Sequence, residues 1–354
     1  MSKDSPTLDK YCVNAKSSLR DVALCINQNQ TGIALVIDEG RRLLGTITDG
    51  DLRRCVLNDI HMDTGVLEFL GKKEGSPITA RHGTAEHDLL RVMTDCTIRQ
   101  IPLLDDEGRL VDLFTMDRLL PSVESRLQAV IMAGGFGKRL LPLTENIPKP
   151  MLHVGDRPLL QRIVEQLALT GIRRVNLTTH YMAEKIRDHF GDGSAFGVDI
   201  NYVAEDQPLG TAGALSLIEK QQGPLLVING DILTKVDFRA MRHFHDDHKA
   251  SLTVAVRRYE FQVPYGVLEC DGIVVRAVRE KPVHACLVNA GIYLVSPEAH
   301  SLIPSDTHYN MTDLIETLAN TGKLVVTFPI TEYWLDIGCA SDFEKAKADI
   351  GNLG

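Results

Sequence analysis

A chain of 354 residues, 44% hydrophobic and 24% charged, is long enough for two domains with sizeable cores and has an ordinary globular composition. Its formal net charge of -9 argues against nucleic acid as the main partner, and no apolar run is long enough to span a bilayer, so no membrane partner is expected. The start, Met1-Ser2-Lys3-Asp4-Ser5, lacks the apolar core of a signal peptide, and the 7 cysteines include no Cys-x-x-Cys pair; free thiols in a reducing cytoplasm fit better than disulfides or zinc.

Two similar halves occupy residues 7–120. The first carries an apolar run, Ile33–Asp38, the turn Glu39-Gly40, then Gly45-Thr46-Ile47-Thr48-Asp49-Gly50-Asp51-Leu52. The second repeats this with Ile98–Asp105, Glu107-Gly108 and Asp112–Leu119. Each half reads as a strand, an acidic-Gly hairpin turn, a second strand and a helix start, preceded by a helical pattern at 19–28 or 85–95. The repeat resembles a tandem CBS-domain pair, an α+β module. In that family a Gly-x-x-Thr-x-x-Asp pattern supplies a hydroxyl for phosphate and a carboxylate for ribose. The first half has it intact as Gly45, Thr48 and Asp51, whereas the second has Asp112 for the glycine and Arg118 for the aspartate. The resemblance thus implies at most one site, for an adenine or guanine nucleotide that tunes the rest of the chain, with Thr48 and Asp51 as candidates. A plainer reading stands beside it, in which Thr48 and Asp51 cap a helix in a module that only dimerises. Because CBS pairs commonly associate, a homo-oligomer is expected.

Residues 121–127, beginning Pro121-Ser122-Val123-Glu124-Ser125, read as a linker between a module at 1–120 and a second domain at 128–354. The second domain opens with the apolar run Ala129–Met132, then Ala133-Gly134-Gly135-Phe136-Gly137-Lys138-Arg139-Leu140. Glycines let backbone N–H groups turn sharply towards an anion, and a strand leaves them at the carboxyl edge of a sheet, where α/β proteins bind ligands. Lys138, Arg139 and Lys149, the last set between Pro148 and Pro150, add cations. A Walker loop is excluded because Arg139 follows Lys138, and a dinucleotide fingerprint because Leu140 stands where its third glycine belongs.

Further on, helical spacing at Leu159–Thr170 ends at Gly171, a strand is expected at Val175–Thr179, a helix at Ala183–Phe190 and a strand at Val198–Val203. This alternation predicts a mostly parallel, Rossmann-like α/β sheet. Pro208 and Gly210 shape a loop in which Thr211 can cap Ala212 onward. Leu225–Asp231 is a buried strand ending in Asn229-Gly230-Asp231, and a carboxylate there suits Mg²⁺. His243, His245 and His248 read as a solvated helix face rather than a metal site. Arg279-Glu280-Lys281-Pro282 ends a strand, Asn289-Ala290-Gly291 opens another, and Asp336 precedes a helix over 340–350.

The glycine-rich stretch, with Pro142-Leu143-Thr144 and Pro148-Lys149-Pro150-Met151, resembles the signature of the sugar-1-phosphate nucleotidyltransferases. The resemblance covers about the C-terminal two-thirds and implies a GT-A-like domain that joins an NTP to a sugar 1-phosphate, releasing pyrophosphate. It implies nucleotide contacts at Ala133, Gly134, Gly135, Gly137, Lys138, Gly210, Thr211, Asn229 and Gly230. It implies catalytic cations at Arg139, Lys149 and Lys281, Mg²⁺ on Asp231 and Asp336, and sugar contacts at Gly266, Glu280, Asn289 and Gly291. The Pro208-Leu209-Gly210-Thr211-Ala212-Gly213-Ala214 wording looks most like guanylyltransferases and favours GTP. A CBS pair ahead of such a domain resembles the guanylyltransferases of the legionaminic acid route, which use glucosamine 1-phosphate. Mannose or heptose 1-phosphate with GTP is the next reading, and UTP, CTP or dTTP stands behind it. A reading of another class is a nucleotide-sensing protein with an inactive catalytic domain; the presence of both carboxylates and of Arg139, Lys149 and Lys281 argues against it.

Overall fold

A computed structural model of the chain describes residues 8–116 and 127–351. The chain forms two compact units, Met1–Glu124 and Ser125–Gly354. The linker read at 121–127 lies outside the described residues except for Leu127, as does the helix start expected at Asp117–Leu119. Among the described residues no helix is long and apolar enough to cross a membrane.

The N-terminal unit builds the same motif twice. Strands β1 (Cys12–Asn14), β2 (Ile33–Ile37) and β3 (Leu43–Thr48) form one sheet, with helix α1 (Leu19–Asn29) between the first two and α2 (Asp49–Leu57) after the third. After α3 (Val66–Lys72), strands β4 (Ala80–Arg81), β5 (Gln100–Leu104) and β6 (Leu110–Thr115) repeat it, with α4 (Glu86–Asp95) as the connecting helix. In both sheets the first pair is parallel and the second antiparallel. The two acidic-Gly turns close with the same hydrogen bond, although the left-handed position is Arg41 in the first and Gly108 in the second. Asp38 Oδ1 accepts from Arg42 N–H at 2.8 Å, and Asp105 Oδ1 accepts from Arg109 N–H at 2.8 Å. The two hairpins also pair with each other, through Leu110 N–H to Arg41 O at 2.8 Å. Helix α1 forms because Ser18 and Asp21 make a capping box and Leu19, Val22 and Ile26 fall on one face, buried against Ala34, Val36 and Ile47.

The C-terminal unit is organised by β7 (Gln128–Met132). Its residues alternate between two cores: Ala129 and Ile131 face one, Val130 the other. A strand covered on both faces must be apolar throughout, and each buried Val or Ile contributes about 1.5–3 kcal/mol relative to exposure. A small hairpin, β8 (His153–Val154) and β9 (Arg157–Pro158), leads into α5 (Leu159–Leu169), β10 (Arg174–Thr179), α6 (Ala183–Phe190) and β11 (Asp199–Ala204). There follow the short α7 (Gly210–Gly213), β12 (Leu225–Asn229), β13 (Ile232–Thr234), α8 (Phe238–Asp247), β14 (Leu252–Gln262), β15 (Val267–Asp271), β16 (Val274–Arg279) and β17 (Val283–Val295). The chain closes with α9 (Pro297–His300), α10 (Met311–Asn320), β18 (Val325–Pro329), β19 (Trp334–Asp336) and α11 (Ala340–Ile350). The seven-stranded sheet has the order β11-β10-β7-β12-β17-β14-β18, and only β17 runs against the rest.

Three expectations are corrected. Asn289-Ala290-Gly291 does not open a strand; it lies inside the thirteen-residue β17, at a break in register where Val254 faces Tyr293 but Val256 faces Asn289. Gly291, at φ +69°, makes that bulge. His245 is not on a solvated face: it is buried at the end of α8 with Nδ1 2.9 Å from Thr253 Oγ1. Thr211 does not cap its own helix. Its Oγ1 accepts from Met311 N–H at 2.9 Å and so serves the start of α10.

Candidate active site

The sheet order places β7 between β10 and β12, so successive crossovers leave it in opposite directions and open a crevice at its carboxyl end. The chain ends there are locked together: Ala133 N–H donates to Thr178 O at 3.1 Å, and Gly230 N–H to Met132 O at 2.9 Å. A Cβ on Gly230 would stand 2.8 Å from Met132 O, so only glycine permits this approach. In the glycine loop, Gly137 sits at φ +62° over Thr144 and Lys149, and Thr144, buried, donates its hydroxyl to Gly137 O at 2.9 Å. The Pro-Leu-Thr segment thus braces the loop from below, leaving Gly135 open on its outer side. Phe136 packs edge-on to His180 and against Tyr181, with Lys138 over its ring.

Next to this loop, cations and carboxylates converge. Lys149 is buried in the turn that follows Pro148, and its Nζ lies 2.6 Å from Asp231 Oδ2. Antiparallel pairing of β13 with β19 sets Ile232 opposite Asp336, and Ile337 N–H donates to Asp231 O at 3.0 Å. Burial, and then the neighbouring Asp231 charge, push the Asp336 carboxyl up; Lys149 and Arg139 pull the other way. The Arg139 guanidinium and Asp336 Oδ1 both flank Gly338, 3.6 and 3.8 Å from where its Cβ would be. Leu140 and Ile337 share one buried cluster, which anchors the residues beside them, Arg139 and Asp336. Helix α11 is capped by Cys339 and Asp342, which leaves Asp336 free of any capping duty.

Three buried polar atoms among the described residues lack a hydrogen-bond partner: Thr179 Oγ1, Asn229 Oδ1 and Asp231 Oδ1. All three sit at the carboxyl ends of strands flanking the crevice, where a ligand would satisfy them. No group of three or more His, Cys, Asp and Glu is assembled for a metal among the described residues. Two carboxylates, one with an orphaned oxygen, nevertheless fit a hard divalent cation that takes its remaining ligands from phosphate and water.

Glu205, which sequence reasoning left without a role, links two loops. Its Oε2 accepts from Leu209 N–H at 3.1 Å, its carbonyl contacts His180 Nδ1 at 2.8 Å, and its Oε1 lies 2.9 Å from where a Gly134 Cβ would be. The glycine of the Leu-Gly-Thr-Ala turn has a packing reason as well: at φ +78°, a Cβ on Gly210 would meet Asn310 Oδ1 and Tyr309 O at 2.7 Å. The 307–310 segment carried no motif, and only the fold brings it here.

The sugar-side candidates divide. Gly291 abuts Asn229, with its missing Cβ 2.6 Å from Asn229 Nδ2, and Asn289 Oδ1 accepts from Gly291 N–H at 3.0 Å. Trp334 Nε1 donates to Ala290 O at 2.8 Å, which fixes the bulge to the strand bearing Asp336. Gly266, Glu280 and Lys281 lie farther out, at the junction of the β15–β16 hairpin, where a Gly266 Cβ would stand 3.0 Å from Glu280 Oε2 and Lys281 holds φ +46°. No hydrogen bond or ion pair among the described residues ties Glu280 or Lys281 to Asp231 or Asp336.

In the N-terminal unit, Thr48 caps α2 in a box with Asp51. The Asp51 carboxylate, 3% exposed, accepts from Lys73 Nζ at 2.6 Å and from Arg54. Burial raises its pKa, but Lys73 and the Thr48 N–H outweigh that and hold it below the usual carboxylate value. A Cβ on Gly45 would lie 2.6 Å from Leu70, so this glycine serves packing.

The Nucleotidyl transferase family matches residues 128–352. The chain belongs to this family. The CBS domain family matches residues 1–58. Among curated relatives, mannose-1-phosphate guanyltransferase 2 of Candida glabrata is 32% identical over 228 residues, covering 61% of this chain and 63% of that protein. Mannose-1-phosphate guanylyltransferase of Mycobacterium tuberculosis is 31% identical, covering 64% of this chain and 65% of that protein. The chain thus spans under two-thirds of the length of both. Among solved structures, HddC from Yersinia pseudotuberculosis complexed with GMP-PN is 27% identical at a TM-score of 0.50, covering 63% of this chain and 99% of that one.

Proposed function

We propose that the chain transfers a guanylyl group from GTP to a sugar 1-phosphate, giving a GDP-sugar and pyrophosphate. The observation that carries this reading is the convergence of Arg139, Lys149, Asp231 and Asp336 beside a braced glycine loop at the switch point of the seven-stranded sheet. The attacking sugar phosphate is already anionic, so no general base is required, and rate comes from alignment and charge neutralisation. Backbone groups of Ala133, Gly134, Gly135 and Gly137, with Lys138 and Arg139, hold the β- and γ-phosphates. Lys149 neutralises charge at the α-phosphorus as pyrophosphate leaves, and Lys281 meets the sugar phosphate. Asn229, Gly230, Gly210 and Thr211 hold the nucleoside, while Gly266, Glu280, Asn289 and Gly291 hold sugar hydroxyls. Asp231 and Asp336 are the residues that would hold Mg²⁺, which supplies charge stabilisation on phosphate oxygens.

For the base, the two guanylyltransferase names among the relatives support GTP. For the sugar, the same names support mannose 1-phosphate. Glucosamine 1-phosphate is the second reading, favoured by the CBS segment ahead of the catalytic unit. The test is pyrophosphate release with Mg²⁺ across all NTPs and a panel of sugar 1-phosphates. Release confined to GTP supports the base assignment, and the preferred sugar decides between the two acceptors. No release with any pair, with or without added AMP, ATP or GTP, refutes the enzymatic reading.

A further inference from the structure

Phe136 stands between the second and third glycines of the loop and is 42% exposed, so burial does not explain an aromatic residue there. Its ring is nevertheless held on two sides. His180 meets it edge-on, with centroids 5.5 Å apart and planes at 83°, and Tyr181 leans on it at 5.4 Å. Both neighbours are themselves tied down. His180 Nδ1 contacts Glu205 O at 2.8 Å, and the Tyr181 hydroxyl donates to Glu145 O at 3.3 Å, just past the segment that braces the loop from below. Over this fixed ring sits the Lys138 ammonium, 5.6 Å from the centroid. Of the cations Lys138, Arg139 and Lys149, Lys149 faces Asp231 at 2.6 Å and Arg139 opposes the Asp336 charge. Lys138 has no carboxylate partner among the described residues.

We propose that Phe136 is a positioning residue: its ring holds the Lys138 ammonium at the exposed side of the glycine loop, ready for the terminal phosphates of the NTP and for the pyrophosphate that leaves. This rests on the reading above, in which Lys138 grips those phosphates. An aromatic face attracts a cation through its quadrupole and offers no oxygen. The ammonium therefore keeps its charge and its N–H donors for phosphate, whereas a carboxylate partner would occupy both. A lysine free on an exposed loop samples many rotamers, and gripping a phosphate freezes them. A cation already settled over a ring has less freedom left to lose, so it binds the anion more tightly. Gly135 and Gly137 flank Phe136 and carry no side chain, so within the loop the ring alone can direct Lys138. The clamp by His180 and Tyr181 matters for the same reason: a ring that drifted would carry the ammonium with it.

The experiment is calorimetric titration of the full chain with GTP, inorganic pyrophosphate and GMP in the presence of Mg²⁺. The proteins are the parent, Phe136→Leu, Phe136→Tyr, Lys138→Met and the double variant Phe136→Leu/Lys138→Met; Phe136→Met repeats the measurement with a second side chain that has no ring. Because Phe136 is half-exposed, its variants should melt with the parent. Lys138→Met should weaken GTP and pyrophosphate about tenfold and leave GMP, which lacks both terminal phosphates, unchanged. Phe136→Leu should weaken the same two ligands about two- to fivefold, the scale of an exposed cation–π contact, and Phe136→Tyr should bind as the parent does. In the Lys138→Met background Phe136→Leu should add nothing, because the ring acts only through that ammonium. Losses that multiply in the double variant, a GMP affinity that falls along with that for GTP, or a Phe136→Leu protein that binds like the parent overturns the inference and leaves the role of Lys138 standing. A parent that binds neither GTP nor pyrophosphate, or a Lys138→Met protein with undiminished affinity for both, overturns that role and the inference together.

Discussion

Replacing Lys149 by Met keeps most of the side-chain volume and removes one charge. In the structure Lys149 is 9% exposed, and its ammonium lies 2.6 Å from Asp231, whose other oxygen has no partner. Without it, Asp231 stands beside Asp336 with only Arg139 opposing their repulsion. Breaking a fully buried pair destabilises by about 3–5 kcal/mol; because the Asp231 side chain is 25% exposed, solvent screening lowers this to roughly 1–3 kcal/mol. For a unit of this size that is a fall in Tm of about 2–12 °C. The sign of the pH dependence follows from Asp336. Its folded pKa is raised, so the protonated form favours the fold, and that contribution is lost as pH rises through the raised value. The deficit of Lys149→Met should therefore be larger at pH 8 than at pH 4 in metal-free buffer. In steady-state assays kcat should drop by about 10²–10³, with the KM for GTP nearly unchanged, because the charge acts on the transition state. Equal losses in kcat and GTP affinity, or a melt as high as the parent's at pH 8, would refute the role.

Gly291→Ala is strained at φ +69° and brings a methyl group within 2.6 Å of Asn229 Nδ2, so it should displace Asn229 and raise KM values severalfold while stability falls by about 1–3 kcal/mol; unchanged kinetics would mean Asn229 touches no substrate. Asp51 is held below its ordinary pKa, so the stability it gives is present above about pH 4 and lost as pH falls through its lowered value; Asp51→Asn should flatten that acid limb in circular-dichroism melts of the full chain. Calorimetric titration of the same chain with AMP, ATP and GTP should give heat only if a nucleotide displaces Lys73 from Asp51, and Lys73→Ala should tighten such binding; a heat unaffected by that change would place the nucleotide elsewhere. Burial pushes the Cys12 and Cys55 thiols up to about 11, so iodoacetamide at pH 8 should modify the exposed Cys96 well before either, as read by peptide mass spectrometry.

Local chemistry made much of this protein legible in its sequence. The helix over 183–190 and that over 340–350 match the structure to the residue, because caps and apolar spacing act within a few positions of each other. The acidic-Gly turns announced the repeat, since an Asx-type turn depends only on its own five residues. The glycine loop, Lys149 and Asp231 stood out because phosphate and cation chemistry admits few side chains, whereas Asp336 was singled out only by the family resemblance. What the sequence could not give were relations between distant segments. Asp336 lies beside Asp231 because β19 pairs with β13. Thr211 caps a helix 100 residues away, and the 307–310 segment explains Gly210. The bulge at Gly291 is invisible to a period-of-two reading because it exists only in register with β14. Residue type and spacing determined which groups could do chemistry; the order of strands, a property of long-range pairing that no local propensity encodes, decided which of them meet.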